Sequence, residues 1–242
     1  MKLSDHEHIR VFHKTVLIFD DVYDEKWNWI DRVDELYSEV VTHGPTAYPF
    51  TSYHHAYKEG NVGSLVFDMW RRKISALNLD NQNAGFEIWT NALYNNGLHL
   101  HMDCDETSYV QSDVVRPPKW ASTFYLGPKN ALEGGELAIC YKGFDYYADR
   151  SKQPYSKKDL IKGNVSHCMS DEECEEIRRD PDWLVIPFRY NRLIVFDPVY
   201  PHCVLNIKSG TTLDQPRVAL STAVWDKEVE IYQDPACPNH YN

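Results

Sequence analysis

The residues of this chain best suited to chemistry lie in two short segments. The first is Tyr94 to Glu106, YNNGLHLHMDCDE. Read as a strand, it places His99, His101, Asp103 and Asp105 on one face, because strand side chains alternate. Two donors spaced two residues apart on an inward face can hold one cation; a third must come from elsewhere. The second segment, Arg192 to Val204 (RLIVFDPVYPHCV), reads as an apolar strand that ends in a proline turn and presents His202. Two imidazoles and one carboxylate make a facial ligand set that suits Fe(II) and leaves coordination positions open. An isolated H-x-D arises often by chance, so the weight rests on the combination. Arg217 follows His202 by 15 residues and opens PRVALSTAVW, while Gly134-Gly135-Glu136-Leu137 opens another strand.

These residues need a scaffold. From Phe86 onward the pattern is one of short strands, near 86–94, 97–105, 119–126, 135–141, 183–188, 192–197, 202–207 and 216–226. They follow an α/β start. Lys14 to Phe19 reads as a strand. Trp27, Ile30, Val33, Tyr37 and Val40 recur at helical spacing after a possible Asp24 N-cap, and Gly44-Pro45 ends that helix. A second helix fits Ser64 to Leu77. Between the helices, Tyr48 to Tyr57 reads as an aromatic loop at the edge of a binding site. About 40 residues between Cys140 and Trp183 lack strand patterning. A long insertion of this kind is expected to be a lid or a mobile segment. Ser170 and Glu173 form a capping-box pattern that predicts a short helix within it.

Composition narrows the classes. The 242 residues carry 25 basic and 36 acidic side chains, for a net charge of -11, which disfavours a nucleic-acid partner. No apolar run approaches the roughly 20 residues of a membrane span, so no membrane partner is expected. Six cysteines occur without a C-x-x-C pair. With no export signal at the start, they point to reduced thiols in a cytoplasmic chain. Cys104 and Cys203 each follow a candidate ligand, and alternation aims them away from the metal.

The order of these features resembles the prolyl-4-hydroxylase-like branch of the 2-oxoglutarate/Fe(II) dioxygenases. The match runs through Tyr94, Gly97, His101 and Asp103, then Tyr125-Leu126, GGEL at 134–137, Phe196-Asp197, Pro201-His202 and Arg217. The resemblance implies a mainly β fold with supporting helices, the double-stranded β-helix of the jelly-roll, cupin-like type. It implies one oxygenase domain over 1–242, with 1–85 as N-terminal support and 86–226 as the core, interrupted by the 141–182 insertion. His101, Asp103 and His202 match the iron ligands. Arg217 matches the base that binds the distal carboxylate of 2-oxoglutarate, where a guanidinium pairs bidentately. Tyr125 matches a tyrosine that hydrogen-bonds the same carboxylate, and Tyr94 one near the keto-acid end. Family spacing selects His101 over His99 as ligand.

The implied cofactors are Fe(II) with 2-oxoglutarate and O2 as cosubstrates, and ascorbate is a candidate reductant. The implied reaction is hydroxylation of an unactivated C–H. The carboxylate of Asp103 fills the position that related halogenases leave vacant, which favours hydroxylation over halogenation; desaturation or cyclisation stays open. A small-molecule substrate, amino-acid-like and of a kind that could be cationic, is the leading expectation. A protein or peptide prolyl hydroxylase is the alternative, and a non-catalytic β-helix module a remote third. Small residues beside Arg217, at Ala219, Ser221 and Ala223, leave room for a keto acid, with Trp225 as a wall. Asp105 is the next inward position and a candidate contact for a cation.

Overall fold

The computed structural model describes residues 9–12, 16–23, 29–52, 62–73, 85–112, 114–143 and 169–229. It opens with β1 (Ile9–Phe12) and β2 (Val16–Phe19), followed by α1 (Trp29–His43), β3 (Ala47–Ser52) and α2 (Val62–Lys73). Next come β4 (Gly85–Leu93), β5 (Leu98–His101), α3 (Glu106–Ser112), β6 (Trp120–Gly127), β7 (Glu133–Gly134) and β8 (Leu137–Cys140). The helix α4 (Asp171–Arg179) leads into β9 (Trp183–Ile186), β10 (Leu193–Phe196), β11 (His202–Val204), β12 (Ile207–Ser209) and β13 (Arg217–Trp225).

The strands form a seven-stranded sheet in the order β1-β2-β10-β6-β13-β4-β3 and a four-stranded sheet in the order β5-β11-β8-β9. All the pairings are antiparallel. Two facing antiparallel sheets of this kind are the double-stranded β-helix expected from the sequence. β13 shows how one strand serves two layers. Val218, Leu220 and Val224 enter the core beneath the helices, with Val33, Leu36 and Val40 of α1 and Leu65, Val66 and Met69 of α2. Ala219 faces the other way, into the space between the sheets, with Tyr125, Ile194 and Phe196 of the large sheet and Leu137, Ile139 and Ile186 of the small one. A strand buried on both faces carries no polar alternation, which is why β8 (LAIC) and β10 (LIVF) read as continuous apolar runs.

The structure alters or completes three expectations. The aromatic loop begins as a strand: β3 edges the large sheet, with Ala47 opposite Trp89 and Ser52 opposite Gly85. Residues 53–57 of that stretch lie outside the described residues. The 141–182 insertion, expected to be a lid or a mobile segment with a short helix in it, is anchored at its C-terminal end by that helix. There Ser170 and Glu173 close the predicted capping box of α4, and Cys174 and Ile177 pack under the small sheet. Arg178 reaches Glu136 with two hydrogen bonds of 3.1 and 3.0 Å, and Asn206 donates to Met169 O and to Asp171, each at 2.9 Å. Residues 144–168 of the insertion lie outside the described residues. Finally, the strand of the first motif stops at His101, and Asp105 serves α3. Its carboxylate accepts from Ser108 N at 2.8 Å and its carbonyl from Tyr109 N at 3.0 Å. Asp105 is therefore a buried helix cap, because a free helix N-terminus lies within its reach.

Candidate metal and carboxylate site

β5 and β11 are neighbours in the small sheet, with His101 directly opposite His202. Their rings approach with centroids 4.2 Å apart. Asp103 lies beyond the strand end, yet the alternation continues: Leu100 and Met102 pack outward while His101 and Asp103 turn into the cleft. The three ligand atoms all lie within 4.8 Å of one another, with Asp103 Oδ1 3.9 Å from His101 Nε2 and Asp103 Oδ2 3.8 Å from His202 Nε2.

The hydrogen bonds fix the tautomers. His101 Nδ1 lies 2.8 Å from His99 O, and His202 Nδ1 lies 3.2 Å from Tyr200 O. A carbonyl only accepts, so each Nδ1 must carry the proton and each Nε2 keeps a free lone pair toward Asp103. Such backbone partners orient metal-ligating imidazoles. Burial, reinforced at His101 by the adjacent His202, pushes the His101 ring down to about 3, and burial pushes the His202 ring to about 4. Both are neutral at pH 7, as a metal requires. Burial raises the Asp103 carboxyl and the neighbouring His101 lowers it.

One glycine permits this approach. A Cβ on Gly97 would sit 1.9 Å from Val204 O, so only glycine lets the start of β5 lie against β11. Its N–H donates to Asn206 Oδ1 at 3.1 Å.

Arg217 opens β13 on the same inner face and lines the same cleft. Its Nε donates to Gly135 O at 2.9 Å, and its guanidinium carbon stands 4.8 Å from the Tyr125 ring centre and 5.7 Å from that of Phe188. Gly135 has φ of +68°, and its missing side chain leaves room for the Arg217 stem, whose Cδ would be 3.1 Å from a Cβ there. This gives the GGEL motif a physical role: it bends the backbone so that a carbonyl aims the guanidinium. Arg217 and Tyr125 are almost wholly buried. Among the described residues, Arg217 Nη2 and Tyr125 OH nevertheless meet no hydrogen-bond partner in good geometry, and the two groups act mainly on each other. Two adjacent buried donors left open cost free energy unless a ligand takes them, and a carboxylate matches both.

The structure thus brings together five of the six residues singled out from the sequence: His101, Asp103, His202, Arg217 and Tyr125. Tyr94 stands apart. It follows Leu93, which faces the cleft, and its own side chain is 40% exposed. Sequence reasoning missed the carbonyl of Gly135, which holds Arg217, and the side-chain amide of Asn206, which ties Gly97 to Met169 and Asp171. It also missed Glu87, an acid on the inner face of β4; the signal was a single charge in an otherwise uncharged strand, FEIWTNAL.

The double-stranded β-helix that carries this inward His–Asp–His cluster has counterparts among solved structures. Among solved structures, the chain shares this fold with a prolyl-4-hydroxylase from Pseudomonas putida, at 11% identity and a TM-score of 0.50, covering 88% of this chain and 93% of that one. It is also similar to an oxidoreductase of the 2OG-Fe(II) oxygenase family from Burkholderia pseudomallei (12% identity, TM-score 0.46, 89% and 86% covered). A third similar structure is HygX from Streptomyces hygroscopicus with iron bound (13% identity, TM-score 0.49, 86% and 82% covered). No protein-family profile and no curated protein sequence matches the chain. Among the described residues, no helix is long and apolar enough to cross a membrane.

Proposed function

We propose that the protein is an Fe(II)- and 2-oxoglutarate-dependent oxygenase that hydroxylates a C–H bond of a small molecule. The observation that carries this reading is the pairing, in one cleft, of the His101–Asp103–His202 set with Arg217, whose buried Nη2, like the buried OH of the adjacent Tyr125, has no hydrogen-bond partner among the described residues. The donor set fits a divalent ion: two imidazole nitrogens and one carboxylate, on one side, with the remaining positions facing the cleft.

His101, Asp103 and His202 would hold the iron. Arg217 Nη2 and Tyr125 OH would take the distal carboxylate of 2-oxoglutarate. When bound, Fe(II) and the keto acid activate O2, one oxygen atom going to succinate as CO2 is lost and the other to the substrate carbon. The chain's own residues position and enclose. His99 O and Tyr200 O hold the ligand rings by their Nδ1 protons. Gly135 O aims Arg217. Trp89, Leu98, Leu137, Phe196 and Val204 line the cleft and keep it dry. Buried Cys140 and Cys174, which form no disulfide, support a reducing, cytoplasmic setting.

The test is consumption of 2-oxoglutarate with formation of succinate by purified protein, Fe(II) and O2, in wild type and in His101→Ala and His202→Ala. The expected result is succinate from wild type alone, and a product one oxygen atom heavier when a screen of small molecules and peptides supplies the substrate. Succinate formation undiminished in both variants would end the assignment.

A further inference from the structure

The proposed site leaves one carboxylate inside the barrel without a task. Glu87 lies on β4 with Trp89, Asn91 and Leu93, at the same inward parity. Register places Leu93 opposite Arg217, Asn91 opposite Ala219, Trp89 opposite Ser221 and Glu87 opposite Ala223. Arg217 thus stands at one end of the inner face and Glu87 toward the other. Each inward step of two residues advances about 7 Å along a strand, so Glu87 lies one step past Trp89, the last β4 residue of the cleft. The cleft between them holds the metal ligands.

The surroundings of Glu87 are those of a cation site. Its Oε2 accepts from Trp225 Nε1 at 3.2 Å, its one hydrogen bond among the described residues. No Lys, Arg or His among the described residues pairs with it, and the charges that act on it, Asp103 and Asp105, are both acidic. Trp225 packs with Ala223 and Val229, and Trp89 and Phe50 close around them. Aromatic faces attract cations, and a carboxylate out of water calls for an opposite charge. Burial first, then Asp103, push the carboxyl up to about 7, while the hydrogen bond from Trp225 lowers it.

We propose that Glu87, walled by Trp89 and Trp225, binds a cationic nitrogen of the substrate at the barrel end opposite Arg217. The interior is then polarised: a guanidinium takes the anionic keto acid at one end and a carboxylate takes a cationic amine at the other. This rests on the oxygenase reading, whose substrate class it names as an amine-bearing or guanidine-bearing small molecule.

The test compares cations with neutral isosteres by isothermal titration: L-lysine against L-norleucine, L-arginine against L-citrulline, and n-butylamine against n-butanol. Each is titrated into the full chain, with and without Mn(II) and 2-oxoglutarate. At least one cation should bind about tenfold or more tightly than its neutral partner. Glu87→Gln keeps the volume and the acceptor for Trp225, so it should fold as wild type and shrink that preference to about twofold or less. Mn(II) and 2-oxoglutarate binding should be unchanged in it. No cation preference in wild type, or a preference that survives in Glu87→Gln, overturns the proposal. Failure of wild type to bind Mn(II) or 2-oxoglutarate instead strikes the oxygenase reading, while the amine preference is still read on the unloaded chain.

Discussion

At the scale of residues, the site is built from groups whose polar atoms are divided between backbone and cleft. Arg217 gives Nε to Gly135 O and leaves Nη2 open. Removing a buried charged hydrogen-bond partner costs about 2–5 kcal/mol, so Arg217→Ala should raise the Kd for 2-oxoglutarate roughly 30-fold or more. Mn(II) affinity should stay within about twofold, because none of the three ligands lies on β13. Tyr125→Phe should act in the same direction and more weakly. Calorimetric titration of Mn(II), then of 2-oxoglutarate, separates the two effects, and an unchanged 2-oxoglutarate affinity would move that role to another base. Glu87 gives a pH test. Its folded value of about 7 lies above the ordinary 4.5, so between these values the folded chain holds the proton more tightly than the unfolded one. That stabilisation is fully present below about 4.5 and is lost as pH rises through about 7. Metal-free wild type should therefore lose on the order of 3 kcal/mol relative to Glu87→Gln between pH 4.5 and 8, read by urea unfolding at each pH. A gap that does not change with pH would mean the carboxyl is not raised.

At the scale of elements, small features set large geometry. Gly97 lets β5 approach β11, which is what puts His101 opposite His202. Gly97→Ala should cost about 1–3 kcal/mol or more, since Val204 O would have to move. It should also weaken Mn(II) binding, because the two strands carrying the imidazoles separate. Asp105 sits two residues after Asp103 but does different work: it caps α3 through Ser108 and Tyr109. Asp105→Ala should cost about 1 kcal/mol in urea unfolding, in the usual range for a lost N-cap. Its effect on succinate formation at saturating metal should be small; a loss as complete as that of His202→Ala would show that it belongs to the reactive site.

At the scale of the whole molecule, the cleft lies between two sheets that share a core in which Ala219, Ile194 and Phe196 meet Leu137, Ile139 and Ile186. Ligands that bridge the sheets should tie them together. The imidazoles stand on the small sheet and Arg217 on the large one. Ligands present at about 100 times their Kd stabilise the folded chain by ~2.7 kcal/mol each. For a chain of this size that corresponds to a rise in Tm of roughly 5–10 °C. Mn(II) followed by 2-oxoglutarate should give two successive rises, both absent after chelation by EDTA when the keto acid depends on the metal for half its contacts. In Arg217→Ala the first rise should remain and the second should shrink to roughly 3 °C or less.

Most of the strand pattern between residues 85 and 225, the amphipathic helix before it, and the choice of His101, Asp103 and His202 as candidate ligands were legible in the sequence. These are local signals: period-two alternation, a proline turn, a capping box, and donor types at fixed spacing. Alternation alone carried His101 and Asp103 to one side and Leu100 and Met102 to the other, even though the strand itself ends between them. Tertiary structure decided the rest, because it depends on which distant backbones meet. The anchoring of α4 rests on Arg178 finding Glu136, 42 residues away. Phe50 leaves the expected loop because β4 offers an unpaired edge. The exclusion of Tyr94 follows from Leu93 claiming the inward direction at the strand end. Glu87 has no signature in the sequence beyond its charge; only the register of β4 on β13 sets it across the cleft from Arg217, where a lone carboxylate among aromatic walls acquires a meaning.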